Sequence, residues 1–180
     1  MGRKASGFVQ NRVHIDGRVL GKLKVAFINT LYSPYQVGGA ERSLQVLAEG
    51  LISKNVKSVV VTLHPMGHEA VEIINGVKVY RMPLANFYWP FRYDVSRPRL
   101  HWRIAWQLRD IHNSVMAKRV QRVLLLERPD LVHTHNLTGI SVSAWSVAVK
   151  MGLPIVHTVR DYSLLCPHAM YKNGDNCRHL

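Results

Sequence analysis

The 180-residue sequence is short of three things: cysteine, acidic side chains and long apolar runs. With two cysteines it is not a small domain held together by a disulfide framework. No apolar run approaches the roughly 20 residues that cross a bilayer. The first ten residues lack the apolar core of a secretory signal peptide. We therefore expect a cytoplasmic protein without a transmembrane anchor.

The shortage of acidic residues leaves a net charge of +13, because 24 Lys and Arg stand against 11 Asp and Glu. The excess is regional: residues 81–128 hold ten basic and three acidic side chains, whereas residues 129–180 hold four and three. Such a charge favours nucleic acid, an anionic membrane face or anionic small molecules such as sugar nucleotides. We expect no nucleic-acid partner, because no recognised nucleic-acid motif accompanies the charge.

Apolar residues are plentiful enough for a core, at 47% of the sequence, and the length fits one domain. Short β-forming runs alternate with helical patterns. Strands are predicted at residues 23–29, 59–63, 77–81, 131–135 and 154–159. Helices are predicted at residues 40–54, 100–126 and 139–150. This alternation predicts an α/β fold with a Rossmann-like open parallel sheet, strand order 3-2-1-4-5 and helices on both faces. Residues 1–22 are expected to be a flexible lead-in with a short strand at 12–15.

Open parallel sheets bind ligands beyond the carboxyl ends of their strands, where the strand order reverses. The loop after the first predicted strand ends in Gly38 and Gly39, directly before a helix. Glycines let backbone amides approach an oxyanion, and a helix N-terminus adds about half a positive charge. The pair therefore predicts a phosphate site, with a tight turn that needs positive φ as the alternative. Neither a dinucleotide G-x-G-x-x-G signature nor a P-loop is present, which disfavours a nicotinamide-dependent enzyme.

Two histidines and an Arg-Asp pair follow the same edge of the predicted sheet. Strand alternation puts His133 and His135 on one face, with His135 emerging at the carboxyl end. His135 could bind a sugar hydroxyl or a phosphate, or move a proton, and a buried structural imidazole is the alternative, favoured for His133. Arg160 and Asp161 could bind an anion and orient or activate a hydroxyl, and a loop ion pair is the alternative.

Two further patterns carry weaker hypotheses. Cys166, His168, Cys177 and His179 do not have the spacing of a structural zinc site, so no metal is predicted. In the aromatic and basic segment after residue 84, three side chains share one helical face: Trp102, Trp106 and Arg109. Packing against the sheet is the favoured interpretation of that face, and contact with a membrane headgroup boundary is the alternative.

Four segments occur in a fixed order: KVAFINTLYSP, GGAERSLQVLAEGL, PDLVHTHNLTGIS and PIVHTVRDYSLLCP. Together, over about residues 23–177, they resemble the N-terminal domain of retaining GT-B glycosyltransferases of family 4. The resemblance implies a nucleotide-sugar donor, with Gly38 and Gly39 near its diphosphate and His135 near the transferred sugar. It implies that Asp161 positions reacting hydroxyls and that no metal cofactor is needed. The family often has His where this sequence has Arg160, so that histidine's role does not carry over.

The resemblance also implies that something is missing from residues 23–180. In the family a second Rossmann-like domain holds most of the donor nucleotide, and no segment here corresponds to it. We therefore expect an incomplete acceptor-side domain that is inactive alone and is completed by further sequence or by a partner chain. Its acceptor would be a glycan or a lipid-linked glycan, with peripheral contact at the inner membrane face left open. The alternative hypothesis is a non-catalytic glycan- or anion-binding module of the same fold.

Overall fold

The computed structural model describes residues 23–91 and 98–160, together with the backbone of residues 14–15 and 18–19. The strands are β1 (His14–Ile15), β2 (Arg18–Val19), β3 (Lys24–Ile28), β4 (Lys57–Leu63), β5 (Ala70–Ile74), β6 (Val77–Met82), β7 (Leu131–Thr134) and β8 (Ile155–His157). The helices are α1 (Gly39–Ser53), α2 (Leu100–Ile111), α3 (Ser114–Glu127) and α4 (Ser143–Lys150). Most of the predicted lead-in lies outside the described residues. Its antiparallel pair β1–β2 includes a strand within the predicted range 12–15.

Strands β3 to β8 form one sheet in the order β5-β6-β4-β3-β7-β8. The pairs β6–β4, β4–β3, β3–β7 and β7–β8 are parallel, which confirms the predicted order of five strands. The sheet has one further strand, because β5 pairs antiparallel with β6 at the edge. The two-residue turn between them, Asn75–Gly76, has positive φ at both positions, as a tight hairpin of this kind requires. The sheet is therefore mixed rather than wholly parallel.

The central strands are covered on both faces, and this explains their continuous apolar runs. On one face, Phe27 and Val60 pack with Leu44 and Ala48 of α1. On the opposite face, the alternate strand residues pack against α3 and α4; the residues involved include Ala26, Ile28, Val61, Val120, Leu124, Ala144 and Ala148. The prediction of helices on both faces is confirmed. No helix in the part of the chain that the structure describes is long and apolar enough to cross a bilayer.

Two predicted helix boundaries are wrong, and a local contact explains each. The helix predicted at 100–126 divides into α2 and α3, because the side chain of Asn113 accepts a hydrogen bond from the Met116 amide and caps α3. Asn113 is buried, and its backbone N–H donates a hydrogen bond to the Ser141 hydroxyl oxygen. The helix predicted from residue 139 begins at Ser143, because Gly139 has φ of +82°, outside the helical region.

An ion-pair cluster joins α3 to the sheet at the amino-terminal ends of the strands. Glu127 is the last residue of α3, and its side chain is 10% exposed. Its carboxylate lies 3.1 Å from Lys24 Nζ and 2.7 Å from Lys78 Nζ, and it accepts a bond from the Tyr80 hydroxyl. Burial alone raises the pKa of Glu127, but the hydrogen bonds from Lys78, Tyr80 and Lys24 outweigh it and lower the pKa to about 2.

This cluster makes stability depend on pH. Because folding lowers the pKa of Glu127 from 4.5 to about 2, its stabilisation is complete above pH 4.5 and is lost as pH falls toward 2. We expect Glu127→Gln to have a free energy of unfolding about 2 kcal/mol lower at neutral pH. The variant should also lose the decrease in stability that Glu127 causes as the pH falls from 4.5 toward 2. Urea unfolding at pH 7 and at acid pH measures the stability at neutral pH and its dependence on acid. Glu69→Gln is the control, since Glu69 is an exposed partner of Arg122 at 3.7 Å. An unchanged acid dependence in Glu127→Gln would contradict the assignment.

Candidate functional site

The loops that follow β3 and β7 are bonded to each other at the carboxyl edge of the sheet. The amide of Thr30 donates to the carbonyl oxygen of Asn136 over 2.9 Å, and the amide of Asn136 donates to Oδ1 of Asn29, also over 2.9 Å. The Thr30 hydroxyl adds a contact of 2.9 Å to the carbonyl oxygen of Thr138. The structure thus confirms that the two loops meet where the strand order reverses, which is the position predicted for a ligand site.

His135 lies at this edge with its ring buried and stacked on a second imidazole. It is 2% exposed, and its ring centroid lies 4.4 Å from that of His133. The two rings therefore share one face of the strand, as alternation predicts. His133 is half-buried, and its Nε2 lies 2.8 Å from the Thr158 hydroxyl. The favoured structural role is confirmed in the hydrogen bond, whereas the expectation that His133 is buried is wrong.

The contact with Arg160 fixes the tautomer of His135. Nε of Arg160 donates to Nδ1 of His135 over 3.2 Å, and a guanidinium cannot accept, so the imidazole proton is on Nε2. Among the described residues that Nε2 is buried and has no hydrogen-bond partner. Burial, followed by the charges of His133 and Arg160, lowers the pKa of His135 to about 3. His135 is therefore a neutral donor at neutral pH, suited to an oxygen of a ligand rather than to acid catalysis.

Arg160 follows β8 and is exposed at the same edge. Of the five N–H donors of a guanidinium, the bond to His135 uses one, and the charge is available to an anion. The structure thus brings together two of the residues predicted for the site, His135 and Arg160. Asp161, predicted to orient a reacting hydroxyl, lies outside the described residues, and its role stays a prediction.

Gly38 and Gly39 open α1, in the loop that leaves β3 at this edge. Gly38 is extended, with φ of −155°, and neither glycine has positive φ, so the alternative of a positive-φ turn is wrong. Both are exposed, and a Cβ at Gly39 would meet nothing within 4 Å. The amide of Gly38 donates to the Glu41 carboxylate over 2.9 Å. The capping carboxylate occupies that amide, which leaves the first amides of the helix itself, at Gly39 and Ala40, for an anion.

A shallow pocket of about 270 Å³ lies at the carboxyl ends of β4 and β6. Its lining consists of His64, Pro65, Met66, Gly67, Leu84, Asn86, Tyr88 and Trp89. His64 is buried, its Nδ1 accepts from the Met66 amide over 3.0 Å, and its ring lies 3.7 Å from that of His68. Burial, followed by the charge of His68, lowers the pKa of His64, which keeps the imidazole neutral. Sequence reasoning missed this pocket; the only signal for it was the run of aromatic residues after β6.

Helix α2 packs against the wall of this pocket. Trp106 is 2% exposed, and its Nε1 donates to the carbonyl oxygen of Tyr88 over 2.9 Å. Nε of Arg109 donates to the carbonyl oxygen of Ala85 over 3.0 Å, and its guanidinium lies over the ring of Phe87. The packing interpretation is confirmed for Trp106 alone, whose observed partner is the segment after β6, whereas Arg109 is exposed and Trp102 remains 48% exposed.

Within residues 23–91 and 98–160, no group of His, Cys, Asp and Glu side chains is placed to hold a metal ion. The weak zinc pattern of Cys166, His168, Cys177 and His179 falls outside those ranges. The described part of the site instead offers a guanidinium, neutral imidazoles and helix N-terminal amides. These are groups that bind anionic and hydroxyl oxygens.

The sequence profile described as Glycosyltransferase Family 4 matches residues 37–174. The chain belongs to glycosyltransferase family 4. The matched range includes Gly38, Gly39, His135, Arg160 and Asp161, so every predicted site residue of this family-4 chain lies within it. The α/β sheet described above is consistent with the N-terminal half of the GT-B fold.

The family-4 chain is also similar to a bacterial protein of greater length. It is 40% identical over 153 residues, 84% of the chain, to "Uncharacterized 42.6 kDa protein in cps region" from Klebsiella pneumoniae. The chain spans 40% of the length of that relative.

Proposed function

We propose that this family-4 chain is the acceptor-side part of a retaining glycosyltransferase that moves a sugar from a nucleotide-sugar donor to a glycan or lipid-linked acceptor. The observation that carries the proposal is the contact between His135 and Arg160 at the switch point of the sheet. A buried neutral N–H donor beside a guanidinium matches a ligand in which sugar hydroxyls adjoin a diphosphate.

The proposed roles follow from where charge changes in the reaction. The bond from the anomeric carbon to the diphosphate oxygen breaks, a bond to the acceptor hydroxyl oxygen forms, and the proton of that hydroxyl passes to the departing diphosphate. The departing diphosphate gains negative charge, which Arg160 and the amides at Gly39 would stabilise. His135 would donate its Nε2 proton in a hydrogen bond to the transferred sugar, and Asp161 would orient the acceptor hydroxyl. The donor is a co-substrate, and the proposal needs no metal ion.

The pocket beside β4 and β6 is the proposed acceptor site. Tyr88 and Trp89 offer aromatic surface for the apolar face of a sugar ring, while Asn86 and the neutral His64 offer polar atoms for its hydroxyls. The location of the Klebsiella relative in a cps region supports an acceptor from the synthesis of a surface polysaccharide. We infer that this synthesis takes place on the cytoplasmic side.

A second candidate is a glycan- or anion-binding module without catalysis. One observation favours it: Arg160 stands where the family often has His. The two candidates predict different results when further sequence or a partner chain is added. An acceptor-side part then transfers sugar, whereas a binding module does not.

The deciding experiment joins the 180-residue chain to the segment of the Klebsiella relative that follows the matched region. The joined and the unjoined proteins are incubated with labelled sugar nucleotides and a bacterial lipid and glycan extract. We expect the joined protein to transfer sugar with retention, read by NMR of the product, and the chain alone to transfer none. Transfer by the chain alone would contradict its assignment as the acceptor-side part. Glycan binding by both proteins without transfer would favour the module.

A glycine substitution separates binding of the diphosphate from folding. Gly39→Ala is expected to leave stability equal or raise it by up to about 1 kcal/mol, since alanine favours a helix and its Cβ meets nothing within 4 Å. The added methyl covers the first helical amide, so we expect about tenfold weaker binding of a sugar nucleotide by the joined protein. Gly50→Ala is the matched control, because Gly50 is exposed in α1 with equal space. If calorimetry shows equal affinities of the two variants for the sugar nucleotide, the N-terminus of α1 is not part of the binding site.

A further inference from the structure

A fully buried arginine lies near the carboxyl end of β6, outside the site described above. Arg81 is 1% exposed, and its Nε donates to the Glu72 carboxylate of β5 over 2.9 Å. Removing a guanidinium from water is costly, and replacing a buried ion pair with apolar residues often leaves a fold equally stable. The ion pair alone therefore does not explain why a charged side chain occupies this position.

The two terminal nitrogens of Arg81 contact the loop that follows β3. One donates to the carbonyl oxygen of Tyr32 over 3.4 Å, and the other donates to the carbonyl oxygen of Ser33. The guanidinium also lies over the ring of Tyr35, 4.9 Å from its centroid. Because the Tyr35 amide donates to the Tyr32 carbonyl over 3.1 Å, the arginine contacts both ends of one tight turn. A lysine could not make this set of contacts, since only a guanidinium presents its donors in a planar fork.

The same loop continues to the N-terminus of α1, where the diphosphate site is proposed. Residues 36–39 of the loop are exposed. Their side-chain contacts run to α1: Gln36 donates to Gln45 over 2.9 Å, and the Gly38 amide donates to Glu41. The position of this exposed stretch thus depends on its two ends, which are the turn contacted by Arg81 and the first residues of the helix.

We propose that Arg81, held by Glu72, is a positioning residue for the diphosphate of the sugar-nucleotide donor. It fixes the turn at residues 32–35 and, through that turn, the amides at Gly39 and Ala40. The inference rests on the proposed donor site at the N-terminus of α1. Arg81 acts through the loop, because all three of its nitrogens donate to loop carbonyls or to Glu72. The edge strand β5 thereby gains a function, since it supplies the carboxylate that holds the arginine.

Two neighbouring carboxylates allow positioning to be separated from charge. Removing any carboxylate makes the chain more positive, which by itself strengthens the binding of an anion. For Glu72 positioning predicts the opposite, because Nε of Arg81 loses its partner and the guanidinium is free to leave the turn. Glu69 is the matched control: it lies directly before β5, and its partner is Arg122 at 3.7 Å rather than Arg81.

The test is an NMR titration of the 180-residue chain with pyrophosphate, read at the amide of Gly39. We expect Glu72→Ala to bind about threefold more weakly than the parent, and Glu69→Ala to bind equally well or slightly more tightly. Arg81→Met should bind about tenfold more weakly, and Arg81→Lys should fall between Arg81→Met and the parent. Without ligand, the amide of Tyr35 should exchange with solvent faster in Arg81→Met and in Glu72→Ala than in the parent.

A variant at the opposite edge of the sheet separates positioning from loss of stability. Glu127→Gln is expected to be less stable than the parent and should nevertheless bind pyrophosphate like it. Urea unfolding identifies the variants that are folded during the titration. If Arg81→Met is unfolded, Glu72→Ala decides, because the Glu72 side chain is 39% exposed and its removal leaves the core intact.

The possible failures are distinguishable. Equal affinities of Glu72→Ala and Glu69→Ala, or equal weakening in Glu127→Gln, would overturn the role of Arg81 and leave the donor site in place. A parent chain that shows no saturable shift at Gly39 would overturn the donor site, and the positioning role with it.

Discussion

Replacing Gly139 with alanine is expected to destabilise the folded chain by about 3 kcal/mol. Gly139 has φ of +82°, a conformation that costs an L-residue about 1 kcal/mol or more. Its added Cβ would lie 2.8 Å from Cδ1 of Leu63 and 3.0 Å from Cδ1 of Leu84. Leu63 is fully buried, so it gives way only by disturbing the packing between the sheet and α3, at a cost of roughly 1–3 kcal/mol.

The control for Gly139 is a glycine with the same conformation and free space. Gly152 has φ of +68°, and a Cβ there would meet nothing within 4 Å. Gly152→Ala should therefore lose about 1 kcal/mol of stability, which is the cost of a positive φ for alanine without any steric clash. Urea unfolding of the parent and the two variants measures the difference. Equal losses in both would show that contact with Leu63 and Leu84 costs nothing and that the close approach of this loop to the sheet is not needed.

Replacing His135 with alanine is expected to lower sugar transfer by the joined protein about 100-fold or more. The imidazole is neutral, its Nδ1 accepts from Arg160, and its Nε2 proton is the donor without a partner among the described residues. Deletion removes that donor and also frees Arg160 to move. His135→Gln retains an N–H donor, so partial recovery of the rate is expected. Stability should fall as well, because the buried ring packs on His133 and lies near Phe27, so transfer rates are compared on protein that urea unfolding shows to be folded.

The pH profile separates this role from proton transfer. With the pKa of His135 lowered to about 3, no inflection from this residue is expected in the transfer rate near pH 6.5, the ordinary range of histidine. His112→Ala, which removes an exposed imidazole between α2 and α3, is the control and should keep the parent rate. A transfer rate of His135→Ala within about threefold of the parent rate would contradict the assignment, because loss of the donor is expected to lower the rate far more. An inflection near 6.5 that His135→Ala abolishes would also contradict it.

Much of the fold follows from the order of apolar runs. Buried parallel strands need apolar residues on both faces, so β3 and β4 stand out in the sequence. Their alternation with helices indicates a doubly wound sheet, for which 3-2-1-4-5 is a usual strand order. The edge strand β5 was not predicted because none of its five residues is buried, so it lacks the continuous apolar run of a central strand. The break between α2 and α3 was missed because neither Gly nor Pro marks it. Asn113 caps α3 through the Met116 amide, and bonds to distant residues, namely Ser141 and Ala85, hold it in place.

The site was predicted in its position and only partly in its chemistry. Because parallel strands end at one edge, residues that follow different strands are expected to meet there, and His135 does contact Arg160. The neutral state of His135 depends on burial and on charges from other strands, which the sequence does not display. Capping of Gly38 by Glu41 and the pocket around His64 depend on packing in the same way.

The most direct test of the account is an NMR titration of the isotopically labelled 180-residue chain with pyrophosphate and with sugar nucleotides. The central claim is that the carboxyl edge of the sheet binds the donor. The account predicts saturable shifts of the amide signals of Gly39, His135 and Arg160, with Lys78 and Glu127 at the opposite edge unchanged. Shifts centred on Lys78 and Glu127, or spread over the basic surface without saturation, would contradict it.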